Sequence, residues 1–349
     1  MRVMVAMSGG VDSSVAAALM KQAGHDVVGV TLKLWSGPNG EAPTAGCCTV
    51  SDAEDARRVA AQLDISYYVL DYTEEFRGGV VDRFVDDYAM GRTPNPCIEC
   101  NRTVKFDRLL NRLDDFDSEV LVTGHHARSR LRGGIWSLHR GADQAKDQSY
   151  VLSMLTQSEL SRTRFPVGEL TKRQVRERAA DAGLRTANKP ESMDICFVGQ
   201  RDYRSFLRES APTAFQEGAM VGTDGTELGR HDGIVGFTIG QRRGLGVAVG
   251  EPRFVVRIQP GTSTVVLGSR DDLAVAGVRL RELTWASGSA SSGQVTAQFR
   301  AHGEAVSAAL HHDRLLFSDP QEAVAPGQTV AFYDGDRVLG GALIADTFS

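Results

Sequence analysis

Residues 6–14, AMSGGVDSS, set two glycines, three serines and one aspartate between two apolar runs. Those residue types suit gripping a phosphate. Glycine lets a backbone turn with positive φ and meet an anion without a Cβ in the way, and the pattern predicts this of both Gly9 and Gly10. Amides of such a loop, with those of a following helix N-terminus, point at phosphate oxygens. Ser8, Ser13 and Ser14 add hydroxyl donors, and Asp12 is placed to hold Mg2+ against the phosphates. The pattern is neither G-x-x-x-x-G-K-S/T nor G-x-G-x-x-G, which leaves a nucleotide pyrophosphate loop of another kind.

Sulfur is the second chemical theme. The five cysteines are Cys47, Cys48, Cys97, Cys100 and Cys196; an odd number argues against a disulfide framework and for thiol or metal chemistry. Cys97 and Cys100 form a C-x-x-C within GRTPNPCIECNRTVKF, a spacing that suits redox exchange or metal binding. Pro94 and Pro96 disfavour regular helix, so an extended, stiff loop is expected to carry both thiols. On such a loop Glu99 would alternate away from Cys100. A structural zinc site would need further ligands, and no second C-x-x-C is present. Taken alone, Cys196 in KPESMDICFVG reads as a core cysteine, as do Cys47 and Cys48 in AGCCTVSD.

The elements that must position these groups follow from periodicity. A strand at 2–7 leads into a helix at 13–23, which Gly24 ends. A strand at 25–35 precedes a helix at 51–63, whose Ser51 and Glu54 form a capping box. Next come a strand at 65–72, a helix at 74–90 and a strand at 118–127. Strands alternating with helices imply a doubly wound parallel sheet covered on both faces, over 1–205. Beyond it, glycine-rich short apolar runs suggest a small linking domain at 206–275. Clearer alternation, with a D-G turn in YDGDRV, suggests a β-rich barrel at 276–349.

At 349 residues, 42% hydrophobic and 24% charged, the chain can bury sizeable cores in more than one domain. No run of about 18 apolar residues exists, so no membrane span is expected. The first residues read as a short strand rather than a signal peptide, and the expected location is the cytoplasm. The net charge of −5 is neutral on nucleic acid, but positive charge clusters in HHARSRLR (125–132), RTR (162–164), KRQVRER (172–178) and GQRRG (240–244). On charge alone these read as solvated surfaces.

The loop at 6–14 also resembles that of the N-type ATP pyrophosphatases, which split ATP between the α and β phosphates and adenylate an acceptor. The ordered set AMSGGVDSS, GCCTVSDAEDARRVA, TPNPCIECNRTVKF, TGHHAR, KDQSYVL, FPVGELTKRQVRE, MDICFVG and GFTIGQRRGLG is similar to that of the tRNA-specific 2-thiouridylases. The likeness covers essentially the whole chain and is weakest over 276–349. It implies an adenine nucleotide alpha hydrolase-like sheet and ATP-dependent 2-thiolation of the wobble uridine of tRNAs for Lys, Glu and Gln. In that chemistry ATP adenylates uridine O2, and sulfur comes from a persulfide on Cys196 with Cys100 as nucleophile. AMP and pyrophosphate leave, and a Cys100–Cys196 disulfide remains for a reductant to open.

Residue by residue, the resemblance implies ATP contacts at Ala6, Met7, Ser8, Gly9, Gly10, Val11, Asp12, Ser13, Leu32 and Gly124. It implies the target-base region at Asn95, Pro96 and Cys97. Further tRNA contacts fall at His125, Lys146, Asp147, Gln148, Phe299, Arg300 and Gln328. Cys97 stands where many members carry Asp, so it is an accessory catalytic residue without a carboxylate's acid–base power. Cys97, Cys100 and Cys196 could alternatively hold a [4Fe–4S] cluster, a less favoured reading. A sulfur donor such as a cysteine desulfurase or relay protein is implied. The basic segments then flank the ATP cleft and bind tRNA backbone, and the uridine flips into the pocket. One rival is a ligating or amidating pyrophosphatase acting on a small metabolite, which leaves Cys100, Cys196 and the basic segments without a task. The other is a non-catalytic RNA-binding homologue, against which Asp12 and both cysteines stand.

Overall fold

The computed structural model describes residues 1–36, 49–190, 195–199, 202–247, 250–301 and 303–349, so Cys47 and Cys48 lie outside the described residues. β1 (Arg2–Ala6) has apolar side chains on both faces and is stable only between two covering layers. The chain supplies them by alternation: α1 (Val11–Gln22), β2 (Asp26–Lys33), α2 (Val50–Gln62) and β3 (Ser66–Asp71). α3 (Thr73–Phe76) and α4 (Asp82–Ala89) follow, joined by a π-helical turn at Arg77–Val81. Then come α5 (Pro96–Glu99) and α6 (Asp107–Asn111), joined by a second π-helical stretch at Cys100–Phe106. β4 (Val120–Thr123), β5 (Ala127–Arg132), β6 (Ile135–Arg140), α7 (Gln157–Ser161), β7 (Thr163–Arg164), α8 (Lys172–Asp181) and α9 (Tyr203–Ser210) complete this part.

The strands run β3-β2-β1-β4-β7 in one parallel sheet, the doubly wound architecture that the alternation implied. Side chains alternate along β1, so Val3 and Val5 join Val15 and Val59 in one core while Met4 joins Phe76, Phe84 and Phe106 in the other. β1 lies between β2 and β4, where strand order reverses. The crevice beyond its carboxyl end is where such sheets take ligands.

One local expectation is corrected. The cap of α2 is Thr49, not Ser51. Asp52 Oδ2 accepts from Thr49 N at 3.0 Å, and Thr49 Oγ1 accepts from Asp52 N at 3.1 Å. Ser51 lies inside the first turn, and Glu54 pairs instead with Arg57 and Arg58.

β8 (Gly218–Gly222), β9 (Glu227–His231), β10 (Phe254–Gln259) and β11 (Thr264–Gly268) form a small sheet ordered β10-β11-β8-β9 over Val255, Val265 and Leu267. The last six strands are β12 (Ala274–Trp285), β13 (Gly293–Gln298), β14 (Val306–His311), β15 (Arg314–Glu322), β16 (Thr329–Asp334) and β17 (Arg337–Phe348). β12 pairs with both β15 and β17, which closes an antiparallel barrel. The basic stretch 125–132 does not simply face solvent. It enters the β5–β6 hairpin, which adds to the barrel by pairing β6 with β17, Leu138 opposite Val338. Arg128 there reaches Asp336 at 2.9 Å. Among the described residues no helix is long and apolar enough to cross a membrane.

Candidate active site

Ala6 ends β1, and Met7 O accepts from Thr31 Oγ1 at 2.5 Å, which fixes the strand before it turns. Gly9 has φ +73, and a Cβ there would lie 2.1 Å from Asp52 O. The turn therefore needs glycine because α2 closes on it. Gly10 has φ −87, so only one of the two glycines is left-handed. As the N-cap of α1, Gly10 offers no side chain, and the first-turn amides of Val11, Asp12 and Ser13 remain available to an anion. Ser13 Oγ accepts from Ser8 N at 3.1 Å and shapes the loop. Ser14, expected as a third donor, is instead fully buried and donates to Gly10 O at 2.8 Å. Gly124 follows β4 and abuts this turn, since a Cβ on it would lie 2.5 Å from Ser13 N. Leu32 is buried near the carboxyl end of the neighbouring strand β2.

Asp12 is not open. Lys172 Nζ reaches its two oxygens at 2.8 and 2.7 Å, and His126 Nε2 lies 3.1 Å from Oδ1. Burial pushes this carboxyl up, but the hydrogen bonds and charges of His126 and Lys172 outweigh it and hold it below the usual carboxylate range. The expected Mg2+ does not fit here. Both oxygens already serve a lysine and a histidine, and among the described residues no three His, Cys, Asp or Glu side chains converge as metal ligands. Cys97, Cys100 and Cys196 likewise form no such three-ligand group among the described residues.

Lys172 was legible only as one charge in a basic segment. A sharper signal was present. Thr171 and Gln174 form a capping box, which puts Lys172 at the first position of α8, where a cation opposes the helix dipole unless an anion faces it.

The expected extended thiol loop is corrected. Pro96 sits at the first position of α5, where its missing N–H removes no bond. Asn95 caps that helix, its Oδ1 accepting from Cys97 N at 3.1 Å and Ile98 N at 3.3 Å. Cys97 is exposed, and Cys100, three residues on, is buried where the helix widens. Glu99 is directed elsewhere, held by Arg102 at 2.9 Å and Arg83 at 3.4 Å. Cys196 is half-buried in a turn at 195–199. Its neighbour Phe197 anchors that turn among Phe84 and Phe206, with ring centroids 5.2 and 5.1 Å away. Cys100 belongs to the same apolar cluster, and Cys196 packs against it.

A cavity of about 310 Å³ opens beside these thiols, lined by Thr93, Pro94, Asn95, Pro96, Cys97, Tyr150, Ile195, Phe299, Arg300 and Gln328. Two widely separated parts of the sequence meet in it. Thr93 N donates to Pro326 O at 2.8 Å. Gly327, at φ +90, lets the barrel loop pass where a Cβ would lie 2.9 Å from Thr93 N. Tyr150 OH donates to Thr329 O at 3.0 Å. Thus Asn95, Pro96, Cys97, Phe299, Arg300 and Gln328 come together, joined by Thr93, Tyr150 and Ile195, which sequence reasoning missed.

The other tRNA candidates lie outside that cavity. His125 Nδ1 is 2.8 Å from Thr123 Oγ1, and its ring packs near Phe106 and Phe165. Burial, then Lys105, push it down to about 3, so it is neutral. Asp147 accepts from Gly141 N, Ser149 N and Arg140, and Gln148 Oε1 accepts from His126 N, so both brace the site from within. Lys146 ends the short helical turn just before them. Of the basic segments, Arg162 pairs with Asp114 and Arg164 lies over the Trp136 ring, whereas Arg130, Arg132, Arg173, Arg178, Arg242 and Arg243 are exposed.

Residues 1–200 match the family model described as a tRNA methyl transferase HUP domain, 204–269 a tRNA methyl transferase PRC-barrel domain, and 275–344 an aminomethyltransferase beta-barrel domain. The chain is similar to the tRNA-specific 2-thiouridylase MnmA of Roseiflexus castenholzii, 45% identical over 99% of both chains. It is 48% identical to the protein of that name from Mycobacterium avium, again over 99% of both, and 46% identical to that of Herpetosiphon aurantiacus over 99% of this chain and 98% of that one. With such identity sustained from end to end, the chain belongs to the tRNA-specific 2-thiouridylase family.

Proposed function

We propose that this protein is an ATP-dependent tRNA-uridine 2-sulfurtransferase acting on the wobble uridine of tRNAs for Lys, Glu and Gln. The observation that carries the reading is the cavity in which the Cys97–Cys100 helix, the residue before Cys196 and the barrel side chains Phe299, Arg300 and Gln328 meet. The uncapped start of α1 and the Gly9 turn support binding of the ATP phosphates there. Lys172, already drawn to Asp12, sets positive charge beside the departing pyrophosphate.

Uridine O2 attacks the α phosphorus and pyrophosphate leaves, so the C2 oxygen becomes part of AMP. The terminal sulfur of a Cys196 persulfide then attacks C2, and AMP leaves with that oxygen. Cys100 thiolate attacks Cys196 Sγ and breaks its bond to the transferred sulfur. The products are 2-thiouridine and a Cys100–Cys196 disulfide, with the thiol protons passing to solvent.

Exposed Arg130, Arg132, Arg242 and Arg243 support contact with tRNA backbone. A sulfur-carrying partner loads Cys196, and the cytoplasm, where tRNA and ATP occur together, is the proposed location. The division of the chain near 205 and 275 belongs to this reading and is supported by its three sheets. The test is thiolation in vitro with ATP and unmodified tRNA, followed by nucleoside mass analysis. Wild type should form 2-thiouridine, with Cys100→Ser and Cys196→Ser each inactive. Full activity of either variant rejects the reading.

A further inference from the structure

The two-thiol reaction leaves Cys97 without a task, although its position is chemically pointed. It is exposed, whereas Cys100, one helical turn later, retains 6% of its surface. Residues three apart on a helix place their Cβ atoms about 5–6 Å apart. A disulfide needs Cβ atoms about 3.5–4.5 Å apart, so a bond between this pair requires the start of the helix to close by roughly 1–2 Å. Ile195, covalent neighbour of Cys196, lines the same cavity as Cys97, and Cys196 packs against the cluster that holds Cys100. The buried sulfur of Cys100 and the half-buried one of Cys196 thus share an apolar cluster, while the open sulfur of Cys97 lines the cavity beside it.

Resting on the sulfur-transfer reading above, we propose that Cys97 is the resolving thiol that regenerates the enzyme after each turnover. Its thiolate attacks Sγ of Cys100 in the Cys100–Cys196 disulfide. A Cys97–Cys100 bond forms, the Cys100–Cys196 bond breaks, and Cys196 departs as a thiolate ready for the next sulfur. One disulfide replaces another, so this exchange needs no oxidant or reductant. Two electrons then enter from an external protein dithiol, which meets the exposed sulfur of Cys97 instead of a bond between buried ones. The motif thus moves oxidation from the interior to the surface.

The experiment loads Cys196 with persulfide in wild type and Cys97→Ser, adds ATP and tRNA, quenches with an alkylating agent and maps disulfides by mass spectrometry. Wild type should carry Cys97–Cys100 with Cys196 alkylated. Cys97→Ser should yield at most one 2-thiouridine per enzyme and accumulate Cys100–Cys196. With a protein dithiol as reductant its steady-state rate should fall at least tenfold, and a small phosphine should restore it. Wild type holding only Cys100–Cys196, or Cys97→Ser cycling on the protein dithiol at the wild-type rate, overturns the proposal. Loss of even the first turnover in Cys97→Ser also overturns it, because Cys97 then acts before resolution. Wild type that forms no 2-thiouridine at all overturns the sulfur-transfer reading, and this proposal with it.

Discussion

Replacing Lys172 by Met tests whether the Asp12 contact serves the phosphate loop or only packing. Lys172 Nζ lies 2.7 Å from Asp12 Oδ2, with side-chain exposures of 12% and 28%. Unit charges about 4 Å apart at an effective dielectric of about 20 interact by about 4 kcal/mol. Breaking a fully buried pair costs about 3–5 kcal/mol. Water reaches Asp12 and His126 remains beside it, so a stability loss of about 2 kcal/mol is expected. The pH dependence has a definite sign. The folded carboxyl lies below its usual range, so its stabilisation is present above the unfolded value near pH 4 and is lost as pH falls through the folded one. In Lys172→Met burial is opposed by His126 alone, the carboxyl rises toward or past its unfolded value, and the acid-linked loss of stability shrinks or reverses. Removing one preorganised charge beside a departing phosphate slows chemistry by roughly 100–1,000-fold. The assays are tRNA-dependent AMP release at saturating ATP and urea midpoints between about pH 2 and 6. A variant that releases AMP within threefold of wild type, with unchanged pH dependence of stability, would refute the argument.

Gly327→Ala forces a Cβ onto a left-handed backbone and to within 2.9 Å of Thr93 N. It should cost about 1–2 kcal/mol by denaturation and lower turnover roughly 10–100-fold through the displaced 93–96 segment; wild-type turnover contradicts the contact. His125, pushed down to about 3, stays neutral in the fold while the unfolded chain protonates below about pH 6.5. The stability linked to it is therefore complete above that pH and declines from there toward 3. His125→Gln should narrow the gap between urea midpoints at pH 7.5 and 5.0, and an unchanged gap counts against the assignment. Replacing exposed Arg242 and Arg243 by Ala should weaken tRNA binding at low salt and reduce the slope of log K against log salt by about 0.7–0.9 per lost phosphate contact. Parallel salt plots would clear both residues of a role.

The parallel sheet was legible because both faces of its strands are apolar, a pattern few folds accommodate, and the tight turn after β1 was legible from its glycines, of which Gly9 is left-handed. What failed was local. Pro94 and Pro96 were read as helix breakers, yet Pro96 at the first position of α5 starts one. Ser51 and Glu54 matched a capping box by spacing, but the chain entered α2 two residues earlier. These errors share a cause, since proline and cap residues specify a boundary without specifying on which side of it the helix lies. The β5–β6 hairpin joining the barrel, and Lys172 meeting Asp12 across 160 residues of sequence, were illegible for another reason. Nothing in a local pattern encodes a partner that distant. Thr93, Tyr150 and Ile195 were missed likewise, as ordinary residues brought into the cavity wall by where the barrel loop lands.

That landing is fixed electrostatically as well as sterically, and it bears on what the barrel is for. Glu99, the residue before Cys100, is 5% exposed, and a carboxylate so buried is costly unless it is paired. Its partners Arg83 and Arg102 also meet Glu282 of β12, at 3.0 and 3.5 Å. Glu282 holds φ +52 within a register shift of β12, a left-handed position that costs a non-glycine residue about 1 kcal/mol. The bulge delivers its carboxylate to the guanidiniums of Arg83 and Arg102, beside Arg281 of its own strand. A barrel that merely gripped RNA would need no such tie to the thiol helix. Here the arginines that hold the buried charge next to Cys100 are tied to the barrel through Glu282, and the same seating brings Phe299, Arg300 and Gln328 into the cavity wall. The barrel therefore completes the cavity wall, and detaching it would strip Glu282 from the arginines that hold Glu99 beside Cys100.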